Sequence, residues 1–376
     1  MRFPREHLEP LTGLRGLAAL WVVVFHTCFG EPNGYLPGFH EKINWGLGRN
    51  VVVQGVYAVD IFFVLSGYIL AYVHREQFQK TLKWEQIFDF YFLRLARIYP
   101  IHLLVLVLLV GVHEVGIWND RVFGLENIVL NSFLLNMWAD PSINIPAWSV
   151  SAEWFAYLGF PFIIFFLFRV QHMFLQWLLA IGLMTIYPLG VMYFEWTWEW
   201  HFGWVALYRV FNGFILGCLM YALQEQCVEL KTLSSSSRWS ALLVGVFFVF
   251  LVFGLPIIFV YPLIPFLIVA VGKSKSGLSH CLSNKLIVVL GTVSFSIYMV
   301  HFPVLEIFRF VLNDVYAALD PSENLVTLWV HLVVILISII AVATLVYTYV
   351  EKPSREYFKQ KLDARERQRE AYLIFR

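Results

Sequence analysis

Residues 326–350 read VTLWVHLVVILISIIAVATLVYTYV and contain no Asp, Glu, Lys or Arg. A helix needs about 20 predominantly apolar residues to cross the hydrocarbon core of a lipid bilayer. This stretch is long enough to do so and carries no charge that would oppose insertion. It therefore predicts a membrane-spanning helix near the end of the sequence.

Nine further stretches have the same apolar character, so the sequence predicts ten transmembrane helices. The stretch 126–138 is too short to cross, and we expect it to form a half-span or an interfacial helix. The predicted fold class is all-α, a polytopic integral membrane protein. The ten predicted spans are 11–29, 51–73, 95–116, 147–169, 174–193, 204–224, 239–256, 257–272, 286–310 and 326–350.

The composition supports a membrane protein and excludes several other classes. Hydrophobic residues make up 59% of the 376 residues, charged residues only 14%, and the mean hydropathy is +0.69. Soluble domains carry about 25% charged residues, so a soluble enzyme is excluded. A net charge of +1 suggests no nucleic-acid partner. The four cysteines form no CxxC pair, and we expect no metal site.

The placement of Lys and Arg predicts the orientation. If the N-terminus faces the cytosol, 21 of these residues fall in cytosolic segments and three fall in outer loops. This excess follows the positive-inside rule. We therefore expect both termini in the cytosol, a membrane domain over 1–350 and a charged cytosolic tail over 351–376.

Ionisable side chains inside the predicted spans are candidates for function, because burying them in lipid is costly. His26 follows Arg15 by eleven residues, which places it ~16 Å nearer the outer face at 1.5 Å per residue. Arg94 and Arg97 lie at the cytosolic edge. The same arithmetic predicts that four groups share the middle-to-outer half of the membrane: His26, Asp60, Glu153 and His301.

A cationic cytosolic mouth below a chamber of His and carboxylate groups suits acyl transfer from coenzyme A. Arginine binds phosphate through a planar fork, so Arg94 and Arg97 are candidates for the diphosphate. A neutral histidine is a suitable general base for a hydroxyl, which favours His26. A carboxylate can orient that histidine or hold the acceptor.

Other interpretations stay open on the residues alone. Arginines at a helix end can be topological anchors, and an intramembrane histidine can be a packing residue. Intramembrane charges are also natural in a secondary transporter or a lipid-linked sugar flippase. Such proteins usually show paired repeats and broken spans, and neither is evident in this sequence.

Six segments resemble, in order, the conserved blocks of the acyltransferase-3 family of membrane O-acyltransferases. In the first of them Arg15 and His26 match the R-x10-H pattern of that family. The resemblance covers nearly the whole chain. The blocks are LTGLRGLAALWVVVFH (11–26), DIFFVLSGYIL (60–70), RLARIYP (94–100), PAWSVSAEWFAY (146–157), GTVSFSIYMVH (291–301) and VEKP (350–353).

The resemblance implies a ten-helix enzyme of the bacterial inner (cytoplasmic) membrane that moves an acyl group, usually acetyl, from cytosolic acyl-coenzyme A to a sugar hydroxyl. It implies that Arg15 and His26 are essential, that Arg94 and Arg97 associate with coenzyme A, and that Glu153 is the acid of its block. Many relatives carry a further SGNH hydrolase-like domain. We expect this chain to resemble the members without it.

The predicted function is O-acetylation of a cell-envelope glycan, with acetyl-CoA as donor and a lipopolysaccharide O-antigen sugar or another lipid-linked saccharide as acceptor. We expect His26, Arg15, Glu153 and Asp60 to be catalytic, and Ser66 to line the acyl channel. The expected substrate contacts are Trp148, Ser151, Tyr298 and His301.

Overall fold

The computed structural model describes residues 9–29, 48–116, 123–139, 142–170, 172–194, 202–272, 277–319 and 325–374, and every regular element in these ranges is helical. The helices of the first half are α1 Glu9–Phe29, α2 Gly48–Val53, α3 Ala58–Phe78, α4 Trp84–Glu114, α5 Leu125–Ser132, α6 Trp148–Leu167 and α7 Met173–Tyr193. Those of the second half are α8 Gly203–Gln226, α9 Val228–Ser235, α10 Ser237–Val252, α11 Ile257–Val260, α12 Leu263–Gly272, α13 Gly277–Leu282, α14 Lys285–Thr292, α15 Ser294–Leu319, α16 Leu325–Val346 and α17 Lys352–Ile374.

Within the described ranges, eight helical segments are long and apolar enough to cross a membrane. They coincide with eight of the ten predicted spans, which confirms the all-α polytopic fold. The predicted spans 239–256 and 257–272 correspond to shorter apolar helices, Ser237–Val252 and Ile257–Gly272. The segment 126–138 contains seven of the eight residues of α5 and one 3-10 turn, Asn136–Trp138, far short of the ~20 residues that a crossing needs.

Two glycines bring α3 and α8 into backbone contact at the centre of the bundle. A Cβ atom at Gly67 would overlap the carbonyl oxygen of Phe214, and one at Gly217 would overlap that of Val64. Because lipid supplies no hydrophobic drive for helix association, close packing through small residues takes its place. This contact fixes the position of α3, which carries Asp60 and Ser66.

The predicted ninth span, 286–310, is divided in the structure at Val293, between α14 and α15. The sequence Gly291-Thr-Val-Ser294 has low helix propensity, and the Ser294 hydroxyl donates to the Gly291 carbonyl at 2.8 Å. The last carbonyls of α14 have no partner in a continued helix. The break therefore presents the Gly291 carbonyl to other donors.

A π-helical turn, Tyr347–Glu351, separates α16 from α17. Such turns insert one residue and occur often at functional sites. Glu351, the last residue of this turn, faces inward. Its side chain is 2% exposed, and its Oε2 accepts from the Ser296 hydroxyl at 2.8 Å. Beyond it, α17 packs along α4 through an edge-to-face pair of Phe92 and Phe358.

Candidate active site

A cavity of about 800 Å³, counted with the space at its mouth, lies among α1, α3, α4, α6 and α15. Most of its wall is apolar. Its polar wall consists of Arg15, Ser66, Arg94, Arg97, Ser149, Glu153, Tyr157, Ser294 and Tyr298.

Three arginines form the cationic end of the cavity. Arg15 donates through Nη2 to the Gly291 carbonyl at 2.8 Å, which is the carbonyl released by the break before α15. Arg97 lies close enough to repel both Arg15 and Arg94 electrostatically. Arg94 stacks over the Phe90 ring at 5.5 Å, and its buried Nε has no hydrogen-bond partner among the described residues. Mutually repelling guanidinium groups with a free donor are suited to an anionic ligand.

Glu153 is the carboxylate of the cavity wall. Its Oε1 accepts from the Ser66 hydroxyl and from the Tyr157 hydroxyl, both at 2.6 Å. Tyr157 in turn lies near Arg94 and Arg97. The carboxylate is therefore held by α3 and α6 and links the arginines to the middle of the cavity.

Tyr298 is an anchored residue of the cavity wall. Its hydroxyl donates to the Pro146 carbonyl at 2.8 Å and lies 2.7 Å from Ser149 Oγ. The ring of Phe62 packs edge-on against Tyr298 with the centroids 5.9 Å apart. These contacts hold the tyrosine as an ordered wall.

A pair of histidines lies directly beyond Tyr298. The imidazole centroids of His26 and His301 are 5.1 Å apart, and the centroids of His301 and Tyr298 are 5.6 Å apart. Nδ1 of His26 lies 3.0 Å from the Val22 carbonyl, and Nδ1 of His301 lies 2.6 Å from the Tyr298 carbonyl. A carbonyl oxygen only accepts, so each Nδ1 carries hydrogen and each neutral ring keeps its lone pair on Nε2.

Asp60 lies outside the cavity wall, in a buried ion pair with Arg209. Nε and Nη2 of Arg209 donate to the two carboxylate oxygens at 2.9 and 2.8 Å, and both side chains are 1% exposed. Nη2 also donates to the Val56 carbonyl, and Tyr187 contacts the carboxylate at 3.4 Å. The structure thus brings Asp60 to Arg209.

Of the predicted substrate contacts, Trp148, Ser151 and His301 do not line the cavity. The Arg209 guanidinium lies over the Trp148 ring at 5.3 Å, so Trp148 belongs to the ion-pair cluster. Ser151 is fully buried and donates to the Leu134 carbonyl at 2.5 Å. The predicted residues that line the cavity are Arg15, Ser66, Arg94, Arg97, Glu153 and Tyr298.

The sequence analysis did not single out five residues that support the site: Ser149, Tyr157, Arg209, Glu351 and Arg355. Tyr157 lies in the same block as Glu153 and four residues after it, so a helical spacing test would have found it. Arg209 is an intramembrane arginine and was detectable on that ground. Glu351 accepts from Arg355 at 3.5 Å, and both interact electrostatically with Arg15.

The site combines groups that suit group transfer. Within the described ranges, no group of three His, Cys, Asp or Glu side chains is placed to hold a metal ion. What is present is an anion-binding end, an apolar passage with one carboxylate, and two neutral imidazoles beyond it. These are the elements of general-base chemistry on a long anionic substrate.

Comparisons with known proteins find acyltransferases among the relatives of this chain. The chain is 24% identical to the peptidoglycan O-acetyltransferase OatA of Listeria monocytogenes, over 81% of this chain and 50% of that protein. It is 25% identical to the O-acetyltransferase OatA of Staphylococcus aureus, over 95% of this chain and 58% of that protein. It is 32% identical to the acyltransferase MdmB of Streptomyces mycarofaciens, over 41% of this chain and 38% of that protein.

The chain spans about half the length of the curated relatives it matches. No solved structure matches it significantly. The profile of the acyltransferase domain matches residues 10–348, which include the whole cavity and both histidines. The chain therefore belongs to the acyltransferase-3 family, whose profile describes an acyltransferase domain.

Proposed function

We propose that this protein transfers an acyl group, acetyl in the first instance, from acyl-coenzyme A to a hydroxyl of a cell-envelope glycan. One observation carries the proposal. An apolar cavity has three arginines in its wall, and a pair of neutral histidines packs against Tyr298, another residue of that wall. Family membership favours this enzyme over a transporter or a flippase.

The donor binds with its phosphates at the arginine end. Arg94 and Arg97 supply the forks for the diphosphate, and Arg15, held by the Gly291 carbonyl, adds a third positive charge. A diphosphate attracts the three guanidinium groups and offsets the repulsion among them, and both effects favour binding of the donor. The apolar middle of the cavity accommodates the pantetheine arm and directs the thioester toward Tyr298.

Glu153 positions the donor arm. Its Oε1 is engaged by Ser66 and Tyr157, and a carboxylate has about four acceptor sites in all. The remaining sites can accept from amide N–H groups of the pantetheine arm. Asp60, bound by Arg209 in a buried pair, has a structural role and fixes α3 against α8.

The chemical step uses His26. Nε2 of His26 takes the proton of the acceptor hydroxyl while the oxygen attacks the thioester carbonyl carbon and forms the new C–O bond. The C–S bond then breaks, and the leaving thiolate takes the proton from the imidazolium. The products are an O-acyl ester and free thiol, and His26 returns to its neutral form. General-base catalysis of this kind contributes about 10²–10⁴-fold in rate.

The acceptor is a sugar of the cell envelope, and the enzyme works in the bacterial inner membrane with the arginine end toward the cytosol. The positive-inside excess supports this orientation. An O-antigen sugar and a peptidoglycan sugar are both hydroxyl acceptors of this class. The Listeria relative is a peptidoglycan O-acetyltransferase, and this favours peptidoglycan as the acceptor.

Mass spectrometry of envelope glycans tests the proposal. Glycans from cells with the gene, without it, and complemented with wild type, His26→Ala or His102→Gln are compared. We expect one acetyl ester per modified sugar with the gene, with wild type and with His102→Gln, and its loss in the other two strains. His102 is a buried histidine that does not line the cavity. An unchanged glycan after deletion of the gene would refute the proposed function.

A further inference from the structure

His301 is a buried histidine that packs against His26. Its side chain is 0% exposed, and its Nε2 has no hydrogen-bond partner among the described residues. Leaving a buried acceptor unpaired is unfavourable, and most buried polar atoms are paired. Nε2 of His301 is therefore available to accept a hydrogen bond in another state of the reaction.

The state of the reaction that matters here is the one in which His26 is protonated. In a catalytic triad a carboxylate stabilises the imidazolium that forms when histidine takes a proton. Here the neighbouring carboxylates are committed elsewhere: Asp60 to Arg209, and Glu153 to Ser66 and Tyr157. Within the described part of the chain, no carboxylate lies within ion-pair distance of either imidazole.

We propose that His301 takes the place of that carboxylate and is a second catalytic histidine. The proposal rests on the function proposed above. When His26 has taken the hydroxyl proton, its new Nε2–H donates to the free Nε2 of His301. The shared proton stabilises the imidazolium until the leaving thiolate removes it, after which both rings are neutral again.

The backbone orients His301 for this role. Its Nδ1–H donates to the Tyr298 carbonyl at 2.6 Å, which fixes the tautomer and makes Nε2 the acceptor, as a second hydrogen bond does for a metal-bound histidine. The same hydrogen bond links the ring to Tyr298, a residue of the cavity wall. His301 thus contacts both Tyr298 and His26, and we expect it to act on the transferred proton and not on the phosphates.

Kinetics of variants tests the proposal. His301→Gln and His301→Asn should lower kcat about 10–100-fold, as loss of a supporting partner does, while the KM for acyl-coenzyme A changes less than about twofold. The matched control is His102→Gln, since His102 is also buried, bonds one carbonyl at 2.6 Å and leaves its other nitrogen unpaired. Its kcat should stay near wild type.

Zn²⁺ supplies a readout that a structural role would not move. The two imidazole centroids are 5.1 Å apart, and neutral imidazole is a common zinc ligand, so the two neighbouring rings are candidates to share a Zn²⁺ ion. Zn²⁺ should inhibit the wild type in competition with the hydroxyl acceptor and not with the donor. His301→Gln should need about tenfold more Zn²⁺, and His102→Gln should behave as wild type.

The two hypotheses fail in different ways. If the wild type forms no ester at all, the proposed function fails. If the wild type is active but His301→Gln and His301→Asn, shown to be folded by donor binding, keep full kcat, the role of His301 is wrong. Wild-type activity that Zn²⁺ leaves unchanged would also overturn it, and that measurement needs no variant.

Discussion

The buried pair of Asp60 and Arg209 leads to a prediction that separates a structural from a catalytic carboxylate. Both side chains are 1% exposed, and two N–H···O bonds of 2.9 and 2.8 Å join them. Asp60→Asn removes the negative charge and leaves the guanidinium uncompensated, which should cost about 3–5 kcal/mol of folding free energy. The double variant Asp60→Leu/Arg209→Met removes both charges and should recover most of that loss.

The assay is a double-mutant cycle on purified protein in mixed micelles, with the free energy of unfolding and kcat measured for each variant. The exposed Asp363→Asn is the matched control and should change stability by less than about 0.5 kcal/mol. We expect a coupling energy of at least about 2 kcal/mol, and near-normal kcat in the double variant. A folded double variant without activity would refute the structural role and return Asp60 to the chemistry.

Three further predictions concern the donor site, the helix packing and the topology. Arg94→Ala and Arg97→Ala should raise the KM for acyl-coenzyme A by an amount equivalent to about 1.5–3 kcal/mol per lost charged hydrogen bond, and Lys at either position should restore it in part. Arg75 lies outside the cavity wall, so Arg75→Ala should leave the KM unchanged. A fall in kcat with unchanged KM in the Arg94 and Arg97 variants would contradict the assignment. Gly217→Leu should prevent accumulation of folded protein, because its side chain would overlap the Val64 carbonyl, whereas Gly111→Ala has open space and should be neutral or stabilising by about 0.5–1 kcal/mol; equal yields of the two would contradict the packing. In a background without the four native cysteines, Tyr193→Cys should react with a membrane-impermeant thiol reagent in intact cells and Ser235→Cys should not; the reverse pattern would invert the orientation.

The fold class could be predicted from the sequence because backbone N–H and C=O groups in lipid must be paired within the protein. A run of about 20 apolar residues favours a helix, since a helix satisfies all its backbone hydrogen bonds within the segment itself. The span over Val326–Arg365 and the seven other long apolar segments follow from this rule. The break at Val293 does not, because it depends on the Ser294 hydroxyl and on the neighbouring helix α1.

The sequence predicts the depth of each site residue in the membrane, but not the direction in which its side chain points. Helical rise of 1.5 Å per residue places a side chain along the membrane normal, and on that basis Asp60 and His26 share a depth. It does not say which neighbour a side chain faces. Asp60 meets Arg209, 149 residues away, and His26 meets His301. These partners follow from helix order, which depends on contacts such as Gly67 with Phe214.

The most direct measurement of the central claim is transfer of a labelled acetyl group by the purified protein. The protein is incubated with acetyl-coenzyme A labelled in the acetyl group and with peptidoglycan or O-antigen oligosaccharide, and the sugar is examined by mass spectrometry while free thiol is measured. The proposed function predicts labelled ester and thiol in equal amounts, both lost in His26→Ala. Thiol release without labelled ester, or ester formed equally well by His26→Ala, would contradict it.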